Sequence, residues 1–198
     1  MVCENPDGNL CDPGHDWRPL VEAAAGTPAR VFASVYSHLN SDRLSEAPIA
    51  MVRAAAANAW AQGVDGLYVN QWFYNWPYDA SFYEKLRELP FAEVLAPRDK
   101  SYWVPGGGPE RLEDGAPPPQ LPLPLAAGGH GEVCFEIADD VAGMAAAGRL
   151  HSCLLRLRLT GATEQDRLRV SLNGVRSPMR PSIALGPPPD PRAAFSSA

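Results

Sequence analysis

The chain has 198 residues, enough for one large or two small domains. Its 23 acidic and 17 basic side chains leave a net charge of −6, so no global basic character points to nucleic acid, and no apolar run approaches the roughly 20 residues that a membrane helix needs. Residues 1–10 are polar and carry no signal-peptide pattern, which places the chain in the cytoplasm if Met1 is the true start.

In chain order, the first expected element is a short helix over 16–25, with Asp16 as its N-cap and Gly26-Thr27-Pro28 as its stop. Residues 30–36, Arg-Val-Phe-Ala-Ser-Val-Tyr, have the β-branched and aromatic content of a strand. A polar loop, Ser37 to Ala47, leads into a helix over 48–62, with Ser45 as cap and Glu46 and Pro48 near its first turn. In that helix Ile49, Val52, Ala56, Ala59 and Trp60 recur at helical spacing, and the Ala54–Ala57 run permits close approach to a sheet. Gly63 suits the left-handed position just past the helix end. A strand over 66–70 follows, then an aromatic loop and a helix from Ser81 to Leu89. Helix, strand, helix, strand is the grammar of a parallel α/β fold, and the two strands are expected to be parallel neighbours joined by a right-handed crossover.

The second half has a different grammar. Prolines and glycines crowd residues 105–124 and prolines recur over 178–191, so neither stretch propagates helix or a central strand. Between them three runs alternate with period two: 132–137, then Leu155, Leu157 and Leu159 with Arg156 and Arg158, then Leu168, Val170 and Leu172 with Arg167, Arg169 and Ser171. Runs 153–160 and 166–173 are expected to pair antiparallel with their leucines buried, and Asn173-Gly174 signals a type I′ hairpin. The expected organisation is therefore an α/β part over 1–97, a Pro/Gly-rich linker over 98–125, an antiparallel β-domain over 126–176 and a Pro-rich disordered tail over 177–198.

In parallel α/β folds function gathers just past the carboxyl ends of the strands. Asn70, Gln71, Trp72, Tyr74, Asn75 and Trp76 follow one strand here, and Tyr36, His38 and Asn40 follow the other. Flat rings beside amides suit polyhydroxylated ligands, because rings stack on sugar faces while amides exchange hydrogen bonds with hydroxyls. Packing under a loop is the alternative for the same rings. Asp42 is the nearby carboxylate to consider for chemistry, while Asp79 stands well past its strand. A lone histidine such as His38 more often bonds locally than catalyses. Asp65 is expected to bond the turn that enters its strand. Cys3, Cys11 and His15 lack common zinc spacing, so no metal or cofactor is expected. Cys134 and Cys153 lie in strand-like runs, as free thiols or as a disulfide pair. The stripe Arg156, Arg158, Arg167, Arg169 is a solvated face or a dock for phosphate or acidic polysaccharide.

The stretch Ala-Asn-Ala-Trp-Ala-Gln-Gly-Val-Asp-Gly-Leu-Tyr-Val-Asn-Gln-Trp, with the later runs from Phe135 to Gly174, resembles the last βα units and following β-domain of glycoside-hydrolase-like TIM barrels of uncharacterised bacterial type. The resemblance covers roughly residues 28–175. It implies the last two units of a (β/α)8-like barrel followed by a small antiparallel β-sandwich-like domain. It further implies an incomplete or truncated carbohydrate-active enzyme whose acid/base pair lies in the absent part or does not exist, with Tyr36, His38, Asn40, Asn70, Gln71, Trp72, Tyr74 and Trp76 lining a substrate cleft and the catalytic residues unassigned. The alternative is a non-catalytic carbohydrate-binding or structural module. Partners would be carbohydrate and either the missing barrel units or a second copy, with no nucleic acid and no membrane.

Overall fold

The computed structural model describes residues 2–3, 11, 13–36, 47–70, 80–104, 120–163 and 165–176. Residues 1–140 form one compact unit and residues 141–198 a second.

The first unit is built on three parallel strands, β1 (Val2–Cys3), β2 (Phe32–Tyr36) and β3 (Gly66–Asn70), in spatial order β1-β2-β3. The long pairing runs in register from Phe32 opposite Gly66 to Tyr36 opposite Asn70. The two-residue strand β1 has no counterpart in the sequence reading, because two residues are too few to show a period. Helix α1 (Arg18–Ala24) links β1 to β2, and α2 (Ile49–Ala61) links β2 to β3. Two further helices, α3 (Ala80–Glu88) and α4 (Ala92–Leu95), follow β3.

Sequential strand order has a geometric consequence. Right-handed crossovers between successive parallel strands put successive helices on the same side of the sheet. The packing obeys this. Val31 and Ala33 of the β2 segment meet Trp17 and Ala24 from the α1 side and Ala59 of α2. Val35 meets Val52, Ala55 and Ala56 of α2 together with Leu89 and Leu95. Alanines on the facing side of α2 let the helix sit close to the strands, as its Ala run suggested. All of residues 51–59 are buried, so α2 is a central helix covered on its far side by α3 and α4. Each fully buried side chain such as Val52 or Leu95 contributes about 1.5–3 kcal/mol relative to exposure.

The helix ends are simpler than the sequence suggested. Asp16 does not cap α1: the cap position is Trp17, which makes no side-chain capping bond, and Pro19 stands in the first turn. Asp16 instead accepts the Arg18 amide at 3.2 Å. Helix α2 begins after Pro48, and Ser45 lies outside the described residues. Gly63 takes the left-handed conformation at φ 86° just past the end of α2.

Residues 98–104, which the sequence reading gave to the linker, are docked on this unit. The Ser101 amide donates to the Ala50 carbonyl at 2.9 Å. Lys100, with its side chain almost fully buried, donates to Asp139 at 2.8 Å, and the Tyr102 hydroxyl donates to the other oxygen of Asp139 at 3.1 Å. Burial, and then the Asp139 charge, push the Tyr102 phenol above its ordinary range. Below about pH 10 the phenol is protonated in folded and unfolded chains alike. Above that, the unfolded chain loses the proton while the folded one keeps it, so stability must fall as pH rises. Urea midpoints measured across alkaline pH should therefore drop more steeply in the parent than in Tyr102→Phe.

The second unit differs most from expectation. It contains a short helix, α5 (Val141–Ala146), and a hairpin of β4 (Ser171–Leu172) with β5 (Val175–Arg176). The hairpin turn is the expected one, with Asn173 at φ 49° and Gly174 at φ 76°. The expected pairing of 153–160 with 166–173 is absent. Leu155, Leu157 and Leu159 are 45%, 54% and 45% exposed, not buried. Period two specifies which side chains share a face; it does not supply the second layer that would bury them. Cys134 and Cys153 are exposed free thiols, so no disulfide joins them. The expected tail, 177–198, lies outside the described residues.

Candidate functional site

With Val31, Ala33 and Val35 turned toward the helices, period two puts Phe32, Ser34 and Tyr36 of β2 on the opposite face. On β3, Leu67 and Val69 pack toward the helices, which leaves Gly66 and Tyr68 for that same opposite face. The register then makes three cross-strand pairs: Phe32 with Gly66, Ser34 with Tyr68, and Tyr36 with Asn70. The two core clusters lie on the helix side of the sheet, yet Ser34 and Tyr36 on this face are also buried.

The pairs are chemically graded along the strands. At the entry end, the Phe32 ring lies over Gly66: a Cβ at Gly66 would come within 2.6 Å of the ring. Glycine is required here by close approach rather than by a turn. Gly66→Val should destabilise the unit by about 1–3 kcal/mol, as an overpacked contact does. Adding Phe32→Ala should recover much of that loss in urea titrations, because the clash is with that ring.

In the middle, Ser34 is buried and its Oγ has no hydrogen-bond partner among the described residues. A buried hydroxyl left unpaired costs about 1–3 kcal/mol, so it is a point where a ligand hydroxyl or a water gains from binding. Its cross-strand neighbour Tyr68 is 43% exposed and presents both a ring and a phenol. At the exit end Tyr36 is buried and pairs across to Asn70, the last residue of β3. The face therefore combines one exposed phenol ring, Tyr68, with the half-buried Phe32 ring, the buried Tyr36 ring and the buried Ser34 hydroxyl.

Of the residues singled out from sequence, Tyr36 and Asn70 are brought together as register partners at the exit end. His38, Asn40, Asp42, Gln71, Trp72, Tyr74, Asn75, Trp76 and Asp79 lie outside the described residues. Ser34, Tyr68 and the Phe32–Gly66 pair were missed. The signal was present, since Val-Phe-Ala-Ser-Val-Tyr and Gly-Leu-Tyr-Val-Asn each alternate; the sequence reading attended to the strand ends and passed over the second face.

Asp65 has a structural role at the opposite, entry end. Its carboxylate accepts the Val31 amide at 2.8 Å and Arg30 at 2.6 Å, and its own amide donates to the Val31 carbonyl at 2.8 Å. It thus clamps the start of β2 to the start of β3, across strands and not within its own turn as expected. The Val31 amide, then Arg30, hold this carboxyl below its usual range. Among the described residues no carboxylate stands on the face of Phe32, Ser34, Tyr36 and Tyr68, and no group of three or more His, Cys, Asp or Glu is placed to hold a metal ion.

A cleft of about 280 Å³ lies along the outer edge of β3, lined by Phe32, Trp60, Gly66, Leu67, Val69, Leu86, Leu89 and Pro90 with Asp65 at its entry end. Its lining is mainly apolar and it is displaced from the strand ends where the sequence reading placed a substrate cleft. Comparison of the chain with protein-family models, with curated proteins and with solved structures finds no match.

Proposed function

We infer that the chain is a glycoside-hydrolase-like protein that contributes a carbohydrate-binding wall, formed by the face of β2 and β3 turned away from the helices, to a barrel-like architecture. The observation that carries this reading is the one-sided layer: sequential parallel strands with their helices on one face and a polar-aromatic set on the other. In a (β/α) barrel the strand face away from the helices is the inner one, and ligands approach it from the strand exit end. Tyr68 offers a ring for stacking beside the Ser34 hydroxyl, and Tyr36 and Asn70 stand at the exit end. A sugar needs that combination of apolar ring and hydrogen-bonding group.

Binding and cleavage separate on chemical grounds. Glycosidic cleavage requires two carboxylates about 5–10 Å apart across the bond. The described face has none, so its residues hold a sugar and do not cleave it. A partial wall should bind weakly, near millimolar, or about −4 kcal/mol. The test is a titration of the chain with neutral oligosaccharides, with aryl glycosides assayed in parallel for turnover. The reading expects saturable weak binding that Tyr68→Ala weakens, and no turnover. Turnover abolished by Asp42→Asn would instead assign an enzyme with its acid in the segment after β2. The alternative, a structural module without sugar affinity, is the outcome if no oligosaccharide binds.

A further inference from the structure

Two features of this chain complement each other. The first is the outer edge of β3. Among the described residues β3 ends the sheet, so its outward amides and carbonyls have no strand beside them. Along that edge runs the apolar cleft between Leu67 and Val69 of the strand and Leu86, Leu89 and Pro90 of the α3 region. Leu86 is 42% exposed in it, and Tyr68 is exposed on the other side of the same edge.

The second is the run Leu155-Arg156-Leu157-Arg158-Leu159. It has strand periodicity and no strand partner, its three leucines are about half exposed, and neither arginine is paired with a carboxylate among the described residues. Its length matches the edge, since five residues span about 16 Å at 3.3 Å each, and β3 has five. Laid beside β3, its leucine side would enter the cleft while Arg156 and Arg158 would fall on the side of the Tyr68 ring, a favourable cation–π placement.

Charge identifies the occupant. Residues 1–140 carry twenty Asp and Glu against nine Lys and Arg, a net of −11. Residues 141–198 carry three against eight, a net of +5. A second copy thus presents a basic strand-patterned run to an acidic unit that has an open strand edge. We propose that the chain self-associates by β-augmentation, residues 155–159 of one copy adding to the outer edge of β3 of another. If each copy gives and receives one strand the assembly closes as a symmetric dimer. The proposal goes beyond the carbohydrate reading and rests on the edge of β3 and its cleft; the two meet at the Tyr68 ring, which the variants below leave unchanged, so either can fail without the other.

Sedimentation velocity of the full chain at several concentrations, at low and high salt, tests it. The proposal expects a monomer–dimer equilibrium weakened by salt. Leu157→Asp and the pair Arg156→Glu/Arg158→Glu should each raise the dimer dissociation constant roughly tenfold or more. These positions are exposed, so circular dichroism should be unchanged. Hydrogen exchange should show the amides along β3 slowing as concentration rises in the parent and not in the variants. A monomer at every concentration overturns the proposal, whether the β3 amides are protected or open. A dimer that survives both variants also overturns it, because the contact is then elsewhere.

Discussion

Glu88→Gln should cost the folded protein about 3 kcal/mol. Glu88 closes α3 with its side chain only 4% exposed. It accepts from Arg53 Nε at 2.6 Å and Arg53 Nη2 at 3.1 Å, a bidentate pair between two helices. Arg98 Nε approaches the same carboxylate at 3.2 Å from beyond α4. One anion therefore neutralises two guanidinium groups, and Arg53 is itself buried on α2. The glutamine has the same shape but no charge, so it leaves the buried Arg53 cation with only the exposed Glu84 carboxylate, 3.8 Å from its Nη2. Arg98 is 49% exposed and can turn to water; Arg53 cannot. The paired change Arg53→Met with Glu88→Leu should be far milder than Glu88→Gln alone, since it removes both charges and keeps volume. Urea unfolding of the three variants checks this. Equal losses in the single and the double variant would mean that packing, not charge, sets the cost. Against a typical total of about 5–15 kcal/mol, the single change alone would leave a marginal fold.

The second large effect is expected at Asn58. Its amide nitrogen donates to the Pro13 carbonyl at 2.7 Å and to the Glu136 carbonyl at 2.9 Å. One turn later on α2, Gln62 accepts the Trp17 amide at 2.5 Å and donates to the His15 carbonyl at 3.0 Å. These two amides hold residues 13–17 against the helix and seat Trp17, whose ring tilts against His15 at 4.2 Å. Asn58 also fixes the chain at Glu136, which in turn pairs with Arg18 at the start of α1. Asn58→Leu has the right size, but it leaves the Pro13 carbonyl, and in part the Glu136 carbonyl, without a donor. The cost should be about 2 kcal/mol, and hydrogen exchange should quicken at residues 14–18 and near 136 while β3 is little changed. If exchange quickens uniformly, Asn58 supports the whole unit and not this junction.

These two residues show where the sequence was legible and where it was not. The α2–β3 segment was readable because several signals agree: an alanine run, Gly63 at a helix end, and a short strand with β-branched and aromatic residues. The element order then implied parallel neighbours, and β2 and β3 are parallel. Arg53, Asn58 and Gln62 were hidden because their partners lie 35 to 78 residues away in the chain. Helical periodicity marks a buried side but gives no partner for a polar residue placed on it. Arg53 and Asn58 read as solvent-facing positions only if α2 has one covered face, whereas the helix is covered all round. Gly66 read only as the first residue of the strand, yet its requirement comes from the Phe32 ring on the neighbouring strand. In the second unit the leucine alternation was read correctly as a pattern and incorrectly as a buried sheet, because burial depends on a covering layer.

The same distinction bears on the candidate site. The sequence reading placed the sugar-facing groups past the strand ends, at Tyr36, His38 and Asn40 and from Asn70 to Trp76. The described structure adds a face within the strands, where Ser34 and Tyr68 sit opposite each other and Phe32 covers Gly66. Tyr36 and Asn70, which belong to both sets, are register partners at the exit end of the strands. If the face binds sugar, the strand interior sets the floor of the site and the segments after the strands set its rim.

The side of β2 and β3 turned away from the helices is proposed as a carbohydrate-binding wall. The most direct measurement is a two-dimensional amide NMR titration of the labelled chain with a neutral oligosaccharide panel. The account predicts that saturable shifts at roughly millimolar sugar cluster at residues 32–36 and 66–70, and that Tyr68→Ala removes them without disturbing the rest of the spectrum. Spectra that do not change with any oligosaccharide, or shifts that cluster elsewhere and survive Tyr68→Ala, would contradict it.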